Sequence, residues 1–426
     1  MQINSFLIWL LPFLMGGVIM AENHTGALRY EDMEQIIREN NKNVQSGTTT
    51  ILAAKARTGS LLRSFSPLIT ASLGSEGFYN NGLQESRVQP IGSVDISMNL
   101  SRGGQDRQEE LIRQAQASLT EANAQKTYTL AVMAAQLLYW DMSYLDEVIR
   151  NAQAILKYNV KSYSSAQRRL SRGLLTQSDL LGFEIYKGQL EEAIESAEHE
   201  KKILMIKLQT ILGVSAPITL QISSLPHTHD ETLILMPLSV SGLSTIQELN
   251  INKSILKLQQ EKLMGKNRPS IDVFAGYTLY TEAERPFSNW IDRAELAAGI
   301  RAQFLIYDGN QSQSEMSGYS LQLQSASEFL SYKTQQMAAE LKVRQEEMIH
   351  LHELFHLSES RFLQTQKFMG QIFEDYDRGV KDSSDVLTAI QLYQHVLEAY
   401  AVQRRDYQKI KSELLGLIAT NVVEKK

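Results

Sequence analysis

One motif occurs twice in this chain, far apart. Arg-Gly, four further residues and Ser-Asp stand at positions 172–179 and return at 378–385, which is 206 positions later (378 − 172). The structural repeats of solenoid proteins are only ~20–50 residues long. A period this long indicates a duplicated half, so the fold must be built from two equivalent halves.

The composition excludes several kinds of site. The chain has 426 residues, a formal net charge of −6 and no cysteine. Lys and Arg are scattered rather than clustered, so we expect no nucleic-acid partner. Without cysteine there is no disulfide, no thiolate chemistry, no metal bound through Cys and no cysteine-linked lipid anchor.

The N-terminal segment is apolar. Residues 6–20 form a run of 15 that is short for a membrane-spanning helix, which needs ~20 residues. We predict a secretory signal peptide over residues 1–21, cut near Ala21, although residues 1–5 lack Lys and Arg. No later segment is long and apolar enough for a transmembrane helix, so any membrane span must use strands.

Proline is absent from residues 91–216 and 287–426, and residues 105–172 contain neither Gly nor Pro. Proline breaks helix interiors, so its absence permits very long helices. A helix over the 68 residues 105–172 would span ~100 Å at 1.5 Å per residue. We predict long helices over residues 105–171, 176–213, 311–377 and 382–420. Their apolar stripes are narrow, which is typical of helices packed side by side in a thin wall.

Alternating apolar and polar residues predict four strands. They lie at residues 68–78, 91–101, 270–280 and 295–306, with Phe274 as an exception to the alternation. Each strand is about ten residues long, the length of a tilted membrane strand. Polar and aromatic segments at 75–92 and 281–293 are predicted to be surface loops.

These elements give the domain organisation. Each half runs short helix, strand, loop, strand, very long helix, turn, helix. We predict a first structural repeat over residues 22–213, a second over 244–420 and a tail over 421–426. The segment 214–243 is rich in Pro, Ser and Thr. We expect it to be an equatorial connector that packs around the middle of the helical body.

Four strands require more than one copy of the chain. They cannot close a barrel, and an open sheet edge is not tolerated in lipid. Closed membrane barrels begin at about eight strands. Two, three or four copies would supply eight, twelve or sixteen strands, and the physical argument does not choose among them.

Two helical turns and two strand exits carry a likeness to a known family. These are residues 172–176 with Asp179, residues 378–381 with Asp385, residues 101–104 and residues 306–309. Together with the order of strands and helices, they resemble the TolC-type outer-membrane efflux protein family (outer membrane factors). The likeness covers about residues 28–420. Each motif alone is weak, but two copies in a matching frame are specific.

The resemblance implies a mostly α protein with membrane β-structure. Three copies would pool twelve strands into an outer-membrane β-barrel, continued by a periplasmic α-helical barrel. Such homotrimers are passive exit ducts of tripartite efflux or type I secretion systems. They lie in the outer membrane of Gram-negative bacteria and dock onto a periplasmic adaptor and an inner-membrane pump. They use no cofactor or metal and are not enzymes.

The resemblance also implies roles for the residues of the two helical turns, which would form the periplasmic tips. The adaptor-docking residues would be Arg172, Gly173, Leu174, Leu175, Arg378, Gly379 and Val380. The residues of the entrance gate would be Ser178, Asp179, Tyr376, Lys381 and Asp385.

In this gate, Tyr376 and Lys381 would tie neighbouring helices to Asp179 and Ser178. Three copies of Asp385 would form a cation-attracting ring. The family often has a second acid one turn later, where this chain has Thr388. The residues themselves leave open a simpler interpretation, in which the acids only cap the N-termini of helices.

Two other functions remain as alternatives. A periplasmic adaptor also has long helical hairpins, although it would have lipoyl-like β-domains and usually one hairpin. The sequence His352-Glu353-Leu354-Phe355-His356 matches the zinc-protease pattern. No third ligand follows at the required spacing, and Phe355 belongs to the apolar stripe. We therefore expect no catalysis there, although adventitious metal binding by His350, His352 and His356 is possible.

Overall fold

A computed structural model describes residues 29–59, 65–80, 85–215, 225–226, 239–280 and 293–418. In this part the protein is mostly helical, with one antiparallel sheet. The predicted signal peptide, the tail 421–426, residues 281–292 of the second loop and most of the connector lie outside the described residues.

Seven helices dominate the described part of the chain. They are α1 (Met33–Asn40), α2 (Lys42–Arg57), α3 (Gln105–Leu170), α4 (Gln177–Leu212), α5 (Ser244–Gly265), α6 (Gln311–Asp377) and α7 (Ser383–Ile418). The helices α3 and α6 have 66 and 67 residues, so each is ~100 Å long, as the absence of helix breakers predicts. Of the helices described, none is both long and apolar enough to cross a membrane.

Four strands form one sheet in the order β1-β2-β3-β4, all antiparallel. They are β1 (Leu68–Asn80), β2 (Glu85–Arg102), β3 (Ser270–Tyr280) and β4 (Arg293–Gln303). The first loop was predicted too long, because β1 and β2 stay paired up to Asn80 opposite Glu85. Polar and glycine residues obscure the side-chain alternation there, but the ladder is made by backbone groups.

The helical body has three apolar clusters. The first joins α1 to the middle of α3 and the C-terminal half of α4. The second lies between α6 and α7 next to Leu243. The third cluster contains residues of both long hairpins, among them Ile155, Phe183, Ile372 and Ile390. This cluster therefore fixes the α3–α4 hairpin against the α6–α7 hairpin near the end remote from the sheet.

Candidate functional site

The two faces of the sheet differ in polarity. Residues directly opposite each other on paired strands lie on the same face. One face carries the rows Ile69–Ile96–Ala275–Ala298 and Ala71–Val94–Tyr277–Leu296. The other face carries the row Ser72–Ser93–Thr278–Glu295. A sheet that is apolar on one side and polar on the other suits a boundary between lipid and water.

Phe274, the exception to the alternation, lies on the polar face. Its partner in β4 is Gly299, where even a Cβ atom would come within 3.3 Å of the Phe274 ring. The guanidinium of Arg301 lies 4.8 Å from the centre of the same ring. The ring thus occupies the space that glycine leaves and contacts a cation, so its presence does not reverse the polarity of the face.

The sheet passes into the long helices through two similar turns. Gly103 and Gly104 precede α3 with φ of 63° and 86°, and Gly309 and Asn310 precede α6 with φ of 68° and 66°. Positive φ values favour glycine, and Asn is among the few other residues that adopt them readily. The same local conformation therefore directs each strand into its helix.

Polar contacts join the two hairpins along the seam between α3 and α7. Arg404 is only 2% exposed. Its guanidinium donates to the Glu147 carboxylate, and it also donates to the Leu225 carbonyl, with a distance of 3.3 Å for this second bond. Its guanidinium also lies 4.3 Å from the centre of the Tyr400 ring. Burial lowers the pKa of Arg404 to about 10, which leaves the group charged at neutral pH. Arg404 thus connects both hairpins and a described residue of the connector.

The two tips end in turns of the same kind. Gly173 has φ of 74° and Gly379 has φ of 82°. Leu174 donates its N–H to the Arg169 carbonyl at 3.0 Å, and Val380 donates to the Asp375 carbonyl at 2.9 Å. Both are hydrogen bonds of the pattern that commonly closes a helix at a C-terminal glycine.

Each tip exposes an apolar side chain at the corresponding position. Leu174 is 70% exposed and Val380 is 72% exposed. The neighbouring residues Arg172, Gly173, Arg378 and Gly379 are exposed too, whereas Leu175 is half-buried. The structure thus places the predicted docking residues together at the ends of the hairpins.

The acids of both tips cap helices. The Asp179 carboxylate accepts from the Thr176 N–H at 2.9 Å and from its hydroxyl at 2.6 Å, and these bonds lower the pKa of Asp179. The Asp382 carboxylate accepts from the N–H groups of Ser384 and Asp385. Hydrogen bonds from these backbone groups lower the pKa of Asp382. These acids therefore take part in the N-terminal caps of both helices, and the gating role stays a prediction.

Tyr376 and Lys381 make contacts other than those expected. The Tyr376 hydroxyl lies 3.3 Å from the Ser383 hydroxyl, and Lys381 forms an ion pair with Asp385 at 3.5 Å. Among the described residues, these contacts of Tyr376 and Lys381 are made with Ser383 and Asp385 and not with Asp179 or Ser178. Contacts of these residues between copies stay a prediction.

Sequence reasoning missed Arg169, which joins the two tips. Its guanidinium donates to the Tyr376 carbonyl and lies 3.9 Å from the centre of the Tyr376 ring. Tyr376 also belongs to the apolar cluster between the hairpins and is only 1% exposed. The sequence places Arg169 in the last turn of a helix, where basic residues are common. Nothing in the sequence connects it with Tyr376, which is 207 positions away.

The histidines of the zinc-protease pattern lie on α6, beside the seam with α7. The rings of His352 and His356 are 4.7 Å apart, and Phe355 packs against Tyr400 with ring centres 5.6 Å apart. Phe355 is buried, as predicted. Among the described residues, no three metal-binding side chains come together.

The sequence matches no protein-family model and no curated protein. Its fold, however, is found in solved structures of outer-membrane channels. CusC, reported in a study of transmembrane channel formation, is 14% identical over 91% of each chain, with a TM-score of 0.75. The outer membrane protein VceC from Vibrio cholerae is 11% identical over 92% of this chain and 96% of its own, with a TM-score of 0.74.

The open state of the MtrE outer membrane channel of Neisseria gonorrhoeae has the same fold. It is 12% identical over 92% of this chain and 89% of its own, with a TM-score of 0.74. The mostly helical chain with one small antiparallel sheet, which the resemblance to TolC-type proteins implies, is therefore confirmed, whereas the trimer and the closed barrel stay predictions. At such low identity, the likeness concerns the fold.

Proposed function

We propose that the protein is an outer-membrane exit duct that passively conducts substrates from the periplasm to the exterior. The observation that carries this proposal is the two-faced sheet joined directly to helices ~100 Å long. An apolar outer face suits lipid and a polar inner face suits a water-filled channel. Solved structures of outer-membrane channels have the same fold over nine-tenths of the chain, which supports this proposal.

The duct requires a ring of copies, for which we propose a homotrimer. In the described chain, β1 and β4 each pair with one strand, so both outer edges of the sheet lack a partner within the chain. Lipid does not tolerate such edges. Pairing of β4 with β1 of the next copy closes them, and three copies give twelve strands. The helices then continue the cylinder into the periplasm.

The exposed tips would be the entrance and the surface that meets a periplasmic adaptor and an inner-membrane pump. Leu174 and Val380 project from equivalent turns, which suits repeated contacts around a ring. This arrangement supports a tripartite efflux or type I secretion system. The described part has two long hairpins and one sheet, which favours the duct over an adaptor protein. We propose no enzymatic activity.

We further propose that the tips form a gate. Tyr376 is held by Arg169 and Ser383, so it connects three helix ends. Lys381 and Asp385 lie beside it as an ion pair. Removing the Tyr376 hydroxyl and the Lys381 charge takes away two of the contacts that hold the tip, which favours opening.

Single-channel conductance in a planar lipid bilayer tests both the duct and the gate. The purified protein is expected to conduct ions, and Tyr376→Phe with Lys381→Ser is expected to raise the conductance of the closed state. The matched control is Tyr332→Phe with Lys342→Ser, which changes two exposed residues midway along α6. No conductance in the parent would argue against the duct. Equal conductance in both double variants would argue only against the gate.

A further inference from the structure

We infer that His352 and His356 form a two-histidine site for a borderline divalent transition ion such as Cu²⁺, Ni²⁺ or Zn²⁺. The inference does not depend on the proposed duct, because binding is a property of α6 itself. Residues four apart lie one above the other on the same face of a helix. Neutral imidazole nitrogen is a preferred ligand of these ions.

The geometry of the pair carries the proposal. The two ring centres are 4.7 Å apart, and the rings are nearly perpendicular at 87°. At this spacing, small rotations about the side-chain bonds can direct one nitrogen of each ring to a common ion ~2.0–2.1 Å away. Both residues lie deep inside α6, far from its fraying ends, so the helix holds their Cα positions.

Aromatic neighbours restrain the two rings. The His352 ring lies 6.3 Å from the Tyr407 ring of α7, and the His356 ring lies 5.4 Å from the Phe355 ring. Phe355 is in turn buried and stacked on Tyr400. Because this packing already restricts the imidazole rings, they lose less conformational entropy when an ion binds, and the affinity for the ion is higher. His356 is exposed and His352 is half-buried, so an ion can reach the pair from solvent.

The site differs from a catalytic zinc centre. A protease holds zinc with three protein ligands and one water. The described residues contain no such group of three, so the remaining ligands of the ion would be waters. Two imidazoles on one helix bind an ion reversibly, and the order of affinities for divalent ions places Cu²⁺ above Ni²⁺ and Zn²⁺.

The test uses the full chain in detergent, purified without a histidine tag. His24 is replaced by Asn in every protein, because cleavage after Ala21 would make it the third residue of the mature chain, where it and the N-terminal amine form a strong Cu²⁺ site. His227 and His229, two positions apart in the sequence of the connector, are replaced by Asn as well. Titration calorimetry with Cu²⁺ alone is expected to show one ion per chain. His352→Asn and His356→Asn should each weaken binding by at least about tenfold, because one ligand of the chelate is lost. The control His350→Asn should leave affinity unchanged, because this exposed residue is two positions before His352 and so does not lie on the same face of the helix.

Electron paramagnetic resonance of the Cu²⁺-loaded protein supplies a second readout. Two imidazole nitrogens are expected in the parent and one in either single variant. Far-ultraviolet circular dichroism checks that the variants retain their helices. Binding of equal affinity in the double variant His352→Asn with His356→Asn would overturn the proposal, as would a signal from only one imidazole in the parent.

Discussion

Arg404 gives the sharpest test of how the two hairpins are held together. Replacement by Met leaves the Glu147 carboxylate inside the seam without the guanidinium that it contacts. Breaking a buried ion pair by removing one partner costs about 3–5 kcal/mol. The hydrogen bond to Leu225 is also lost, and a neutral Met side chain no longer attracts the Tyr400 ring.

The corresponding shift in melting temperature follows from the size of the chain. Unfolding entropy is about 2.1 cal/mol/K per residue, or about 0.9 kcal/mol/K for 426 residues. A loss of about 4 kcal/mol therefore lowers the melting temperature by about 4 °C. Circular dichroism of the detergent-solubilised protein at a helix wavelength measures this shift.

The double variant Arg404→Met with Glu147→Met removes both charges together. Joint replacement of a buried pair by apolar side chains is often neutral or stabilising, so we expect most of the lost stability to return. Lys201→Met is the control, since Lys201 pairs with Asp146 one position before Glu147, where both side chains are partly exposed. It should cost no more than about 1 kcal/mol. Equal losses in the single and double variants would refute the reasoning.

Two further predictions concern local structure. Gly213→Ala should lower the melting temperature, because Gly213 has φ of 71° and a Cβ atom at this position would meet the Asn40 backbone. An unchanged melting temperature would contradict this account of the turn. The pKa of Asp179 is lowered by its Thr176 cap, so the cap stabilises the protein above about pH 4 and loses this effect as the pH falls through the folded pKa. The parent should therefore melt above Thr176→Ala at pH 7. The difference should narrow in acid to the part that the Thr176 hydroxyl contributes by accepting from the Asp179 N–H. A difference that does not change with pH would exclude the ionised cap.

The long helices were predictable because their cause is local. Residues 105–172 contain no Gly or Pro, and the structure has one continuous helix there, α3. The presence of the four strands was predictable for a similar reason, because apolar and polar residues alternate along each of them as the pleat of a strand requires. The extent of the first hairpin was not, because pairing near Asn80 and Glu85 depends on backbone groups of two strands rather than on side-chain polarity.

The candidate site was only partly predictable. The tips and their helix caps could be predicted from the glycines and acidic residues, because the residues that form each turn and cap lie within a few positions of each other in the sequence. Arg169 and Arg404 were missed, since their partners Tyr376 and Glu147 are distant in sequence. No periodicity in a single helix shows which polar residue will meet another across a seam. The role of Phe274 likewise required its neighbour Gly299 on the next strand.

Cross-linking of β1 to β4 tests the central claim most directly, since the chain contains no cysteine of its own. Ser72→Cys is combined in turn with cysteine at Glu295, Ala297 or Arg301 on the same polar face. Within one chain, β1 and β4 are three strand spacings apart, about 14 Å, which is too far for a disulfide. After oxidation of isolated outer membranes, we expect at least one pair to give a covalent species of three chains and nothing larger. Chains that stay monomeric in every combination, or a ladder extending beyond three, would contradict a closed three-copy cylinder.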